Sequence, residues 1–223
     1  DAAFLAEKMN KNTTVLLPDF PTREMEREFN KLGFRTFERT INATERTIAP
    51  GVSVAIHAET SITDGPGGDS ALVVSDGDAR LVNQNDCRTN DLTALLSHGP
   101  VDLHWLQFSG AIWYPMVYEM DEATKHKLCV EKVDAQFQRA MRYVEAIHAT
   151  TVVPSAGPPC FLDEDLFALN MVTGNETSIF PDQTEFQRRL SDEGRLNAAT
   201  TIPGTTFLVL GGGVTVEQPM SGE

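Results

Sequence analysis

Asp86 is the residue best placed to do chemistry. The strand-like run 79–83 ends in a polar cluster, Asn83, Gln84, Asn85, Asp86 and Cys87. A carboxylate among amide side chains at a strand end gathers donors and acceptors in one place, as a metal ligand or a general base requires. An Asp that caps the turn through Thr89 and Asn90 would look the same, because Asp side chains bond backbone N–H groups two residues on. His57 is the second candidate ligand, set between Ile56 and Ala58 in the run 52–59, VSVAIHAE. No histidine stands at i+2 or i+4 from it to form a chelating pair, so a core or surface imidazole is the competing reading. His98, His104, His126 and His148 are equally solitary along the chain and read as structural. The third feature is the aromatic segment 107–118, QFSGAIWYPMVY. Trp113, Tyr114 and Tyr118 there could line a substrate wall or fold over the core as a loop.

Other chemistries find no support. Ser109 beside Gly110 is not the G-x-S-x-G of a serine hydrolase. The glycine-rich loop at 64–69 has neither the phosphate-binding G-x-x-x-x-G-K-[ST] spacing nor G-x-G-x-x-G before a helix, and 211–213 is a glycine turn. The three cysteines, Cys87, Cys129 and Cys160, are odd in number and far apart with no C-x-x-C, which argues against a disulfide framework or a thiolate metal site. A reducing compartment, the cytoplasm, is the expectation.

Composition narrows the partners. With 41% hydrophobic and 22% charged residues over 223 positions, the chain suits one ordinary globular domain. A formal net charge of −14 repels phosphate backbones and anionic lipid, which excludes nucleic acid as the expected partner. No apolar run approaches the ~20 residues that cross a bilayer, and the first residues are no signal peptide.

The elements that must position these residues can be read from periodicity. Helices are predicted over 2–9, over a stretch capped by Thr22 and ended by Gly33, and over 92–96, 165–169 and 183–190. The longest runs over 122–149, with Val130, Val133, Phe137, Met141, Val144 and Ile147 at three- and four-residue steps. Strands are predicted at 13–17, 34–38, 52–59, 71–75, 79–83, 101–108, 151–154 and 202–210, with Asp76-Gly77 as a hairpin turn. Hairpins and helical connections together point to an α/β (α+β) fold with mixed sheets and helices outside.

The order of these motifs resembles a known family. A strand, the D-G hairpin, N-x-N-D-C at 83–87, F-S-G-A at 108–111, Y-P-M at 114–116, a long helix and P-S-A-G at 154–157 are similar to the metallo-β-lactamase-fold region of CMP-N-acetylneuraminate hydroxylase-like proteins. The resemblance implies an αββα sandwich with a dinuclear metal site at strand ends, and a Rieske iron–sulfur domain carried separately. It places Asp86 where the bridging aspartate sits and His57 near another ligand position, with Asp69 at a further family position of unassigned role.

Two departures set the functional expectations. The family's H-x-H-x-D-H signature is absent from these 223 residues, and the first residues resemble the segment directly after that signature, so an upstream segment carrying it is expected. No Rieske C-x-H and C-x-x-H pair occurs, so no iron–sulfur cluster is expected in this chain. The chain therefore reads as a single, partial domain of a metal-dependent hydrolase or Rieske-linked oxygenase-type protein. Zn, Fe or Mn would be bound in the full-length protein, and a small molecule would be the substrate. The alternative is a metal-free binding or scaffold domain of the same fold.

Overall fold

The structure, a computed structural model, describes residues 2–60, 67–110, 112–155, 157, 160–170, 178–195 and 197–219. Positions 64–66 of the glycine-proline loop and 156, 158 and 159 of the proline-rich run lie outside them. The chain forms two compact units. One comprises the residues up to Asp78 together with 86–98, and the other comprises 79–85 and the residues from Gly99 onward.

In the first unit, α1 (Ala2–Lys8) precedes β1 (Val15–Leu17), α2 (Glu24–Lys31) and β2 (Phe37–Arg39). Strands β1 and β2 pair in parallel, Val15 opposite Phe37. Thr22 does not cap α2 as expected. Arg23 holds that position with no side-chain bond, and the Arg39 guanidinium donates to the carbonyls of Phe20 and Thr22. Gly33 ends the helix at φ +100°, a backbone state that residues with a Cβ rarely adopt. Strand β3 (Arg46–Ala49) pairs antiparallel with β4 (Val52–Glu59), and β4 with β5 (Asp69–Ser75). Every residue of β3 is exposed, so it carries no alternation and sequence reading passes over it. The Asp91 side chain accepts from Ala94 N at 3.3 Å and so caps α3 (Leu92–Leu96).

The second unit is built on three parallel strands, β6 (Arg80–Asn85), β7 (Leu103–Gln107) and β8 (Thr151–Ser155). Val82, Leu103, Leu106, Val152 and Val153 are fully buried, as expected for parallel strands covered on both faces. Helix α4 (Glu122–Ile147) connects β7 to β8 and starts at Asp121, whose carboxylate accepts from Thr124 N at 2.9 Å. It buries Cys129, Val133, Phe137, Ala140, Met141, Val144 and Ile147. Val130, read as part of that stripe, is 43% exposed because it lies on the stripe's flank. Helix α5 (Gln183–Asp192) inserts Phe186 into this core. The Phe186 ring stacks on Phe108 at 5.2 Å and on Phe137 at 5.6 Å. A hairpin of β9 (Thr206–Leu210) and β10 (Gly213–Glu217) completes the unit. Gly212 N in its turn donates to Asp102 Oδ1 at 2.9 Å, and Asp102 Oδ2 accepts from Arg80 N at 2.8 Å.

Removing the central ring empties volume that neighbouring rings cannot refill. Phe186→Ala is expected to cost about 3–5 kcal/mol in urea denaturation, while Val130→Ala on the exposed flank stays within about 0.5 kcal/mol. Equal costs at the two positions would refute a core centred on Phe186.

Candidate functional site

The first unit brings two histidines together that are 41 residues apart in sequence. Strand β4 presents His57, which is 7% exposed and opposite Ala71 of β5. His98, two residues beyond the end of α3, turns its ring edge-on to it, with Nε2 atoms 2.9 Å apart. His98 Nδ1 lies 3.2 Å from Glu45 Oε1. Glu45 is brought there by the loop before β3, which clings to β4 through Ala43 N to Ile56 O (2.9 Å) and Ala58 N to Asn42 Oδ1 (2.7 Å).

The carboxylate orders the His98 end of this chain. A carboxylate oxygen accepts, so the hydrogen of the Glu45 contact sits on His98 Nδ1. One hydrogen lies between the Nε2 atoms of His57 and His98. Burial, and to a lesser degree the nearby His98, depress the His57 pKa to about 4, while Asp91 pulls it upward. His57 is therefore neutral at pH 7. The reading of both histidines as solitary is corrected: the partner comes from a distant segment that no local spacing rule reports.

Asp86 lies in a turn after β6, directly beyond Asn85, whose φ is +42°, and is exposed. Its neighbour Cys87 is 2% exposed, and burial pushes the thiol up to about 11, with Glu59 and Asp69 raising it further. Those two carboxylates stand opposite each other in the β4–β5 register. The Cys87 thiol is thus protonated at neutral pH and is not a poised nucleophile. Among the described residues, no three His, Cys, Asp or Glu side chains converge as a metal site. The Nε2 of His57 is engaged by His98, and Asp86 stands in an exposed turn.

In the second unit the aromatic segment is pinned to α4. The Lys132 ammonium donates to the carbonyls of Ile112 and Tyr114. Trp113 packs edge-on to Phe161 at 5.2 Å and to Phe180 at 5.4 Å, and Tyr114 packs on Tyr118 at 5.0 Å. Phe180 also lines a cavity of about 460 Å³, together with Gly157, Cys160, Phe167, Asn170, Asp182 and Gln183. Trp113 backs one wall of that cavity, whereas Tyr114 contributes to neither its lining nor its aromatic cluster. Sequence reading missed Asp182 and Phe180, since one reads as a helix cap and the other as core. His104, wholly buried on β7, meets Gln84 Oε1 at 2.9 Å through Nε2. Burial lowers its pKa to about 3.

His57 and His104 make stability depend on pH in a defined direction. An unfolded histidine takes up its proton near pH 6.5, whereas these two stay neutral in the fold down to about 4 and about 3. Unfolding free energy should therefore be unaffected by these groups above pH 6.5 and should fall as pH drops from there towards 4. His57→Gln should flatten that slope by up to about 1.4 kcal/mol per pH unit in urea titrations. Identical slopes in wild type and variant would rule out a depressed His57.

No family model matches the chain. Over 210 residues it is 43% identical to a Mycolicibacterium smegmatis protein that carries the name of a Rieske 2Fe-2S iron–sulfur protein, covering 92% of this chain and 40% of that one. The chain spans 40–41% of the length of the curated relatives it matches. Among solved structures, CmlA, a diiron β-hydroxylase from Streptomyces venezuelae, matches with a TM-score of 0.50 and 15% identity, covering 85% of this chain and 38% of that one. The metallo-β-lactamase fold protein YhfI from Bacillus subtilis matches with a TM-score of 0.51 and 13% identity, covering 96% and 69%. The chain has the metallo-β-lactamase fold, as the order of its motifs led us to expect.

Proposed function

We propose that this chain is the metallo-β-lactamase-fold part of a Rieske-linked, metal-dependent oxygenase-type protein, with the iron–sulfur cluster housed elsewhere in the same or a partner chain. The supporting observation is the 43% identity over 210 residues to a relative named for a Rieske cluster, 40% of which this chain covers. The finer likeness to CMP-N-acetylneuraminate hydroxylase-like proteins belongs to the same proposal and rests on N-x-N-D-C and the motifs around it. Asp86 would supply a carboxylate, catalytic or metal-bound, to a divalent Zn, Fe or Mn ion whose other ligands lie in the remainder of the protein. His57 would serve through Nδ1 or as support for its surroundings. Trp113 and Tyr114 would face a small-molecule substrate. Three cysteines outside any disulfide suit a cytoplasmic location, and among the described residues no helix is long and apolar enough to cross a membrane.

A second reading, a metal-free binding domain of the same fold, is favoured by one observation: no three ligand side chains converge among the described residues. Metal analysis separates the two. The full-length protein should purify with stoichiometric divalent metal beyond its cluster iron, and Asp86→Ala should lose most of it without loss of fold by circular dichroism. Full-length protein that holds no such metal after reconstitution with Zn, Fe and Mn would leave the metal-free reading standing.

A further inference from the structure

The cavity beside the 3-10 turn Phe167–Asn170 carries a chemistry set by the charge and the rings of its lining. Its volume of about 460 Å³ falls within the span of small-molecule sites. Two of its polar lining groups are engaged by the protein through both amide atoms. Asn170 accepts from Phe161 N at 2.8 Å and donates to Phe161 O at 2.7 Å. Gln183 donates to Thr201 O at 3.3 Å and accepts from Thr201 N at 2.9 Å. Asp182 spends one oxygen, Oδ1, as the cap of α5, accepting from Glu185 N at 3.0 Å and from the Thr184 hydroxyl at 2.6 Å. Among the described lining groups, Asp182 is the one charged side chain, its Oδ2 takes no part in the cap, and the exposed Cys160 thiol lies in the same lining.

The rest of the lining selects the sign of the charge. Among the described residues no Lys, Arg or His lines the cavity, so none of them offers Asp182 a counter-ion there. The rings of Phe167 and Phe180 flank the same space, and aromatic faces attract cations. Phe180 is 1% exposed and held by Trp113 and Phe161, so one wall is rigid, while Phe167 is 54% exposed. A carboxylate oxygen beside two aromatic rings suits an ammonium group on an apolar body. The net charge of −14 favours the approach of such a cation.

We propose that this cavity binds a small organic cation, an ammonium-bearing molecule with a flat apolar part, its N–H donating to Asp182 Oδ2 and its body lying against Phe167 and Phe180. The proposal is independent of the metal reading, since neither Asp86 nor His57 lines the cavity.

Three probes of matched shape test it: 2-phenylethylammonium, neutral 2-phenylethanol and anionic 3-phenylpropanoate. Cys160 reports occupancy through its alkylation by iodoacetamide, read by peptide mass mapping; Cys87 and Cys129 are buried and serve as internal controls. The ammonium probe should protect Cys160, the alcohol should protect it more weakly, and the carboxylate not at all. Asp182→Asn keeps a side chain that caps helices well and should weaken protection by the cation about tenfold or more, the worth of one charge-assisted hydrogen bond. Phe167→Ala, on an exposed ring whose loss leaves the core intact, should weaken it as well. Asp86→Ala should leave protection unchanged, which keeps this outcome separate from that of the metal analysis. Equal protection by cation and anion, no protection by any probe, or undiminished protection in Asp182→Asn would each overturn the proposal.

Discussion

Three buried parallel strands set the terms for the second unit. Parallel strands cannot be joined by a tight turn, so the chain must travel back over the sheet, and both faces need apolar cover. Helix α4 makes that return between β7 and β8, and Phe186 of α5 locks it in place by filling the space between Phe108 and Phe137. Asp102 ties the start of β6 to the β9–β10 turn through two backbone N–H groups, satisfying polar atoms that burial would otherwise leave unpaired. The loops that carry Trp113, Phe180 and the cavity hang from this frame, so their geometry depends on it.

In the first unit the organising feature is a hydrogen-bonded chain of two imidazoles and a carboxylate. Glu45 holds the hydrogen of His98 on Nδ1, and the Nε2 of His98 meets that of His57. Burial keeps the His57 imidazole neutral at physiological pH, and its Nε2 is met by that of His98. His104 in the other unit is also buried and neutral, but its described partner is Gln84, at Nε2, and its Nδ1 has none among the described residues. The contrast shows two ways of burying a histidine, one with a carboxylate at the end of the chain and one with a single amide.

Much of the fold was legible from residue patterns. The buried stripe of α4, the span of α3 and the Asp76-Gly77 turn, where Gly77 takes φ +96°, are consequences of periodicity and turn chemistry. Strand β3 was not legible because all four of its side chains face solvent. The site was harder to read. Asp86 draws attention by its setting at a strand end, but its exposure in a turn depends on how the chain bends beyond Asn85, which residue types do not report. The His57–His98–Glu45 chain joins three segments whose proximity no local spacing encodes. Asp182 escaped notice because capping a helix and facing a cavity leave the same mark on a sequence.

Lys132 gives the aromatic segment an unusual dependence. Its ammonium gathers the carbonyls of Ile112 and Tyr114, which bracket Trp113, and burial lowers its pKa. The indole is therefore mounted on the long helix rather than on its own loop. Any tilt or slide of that helix would carry the indole with it, so displacement at one end of the helix would be read out as a change in the shape of the aromatic wall.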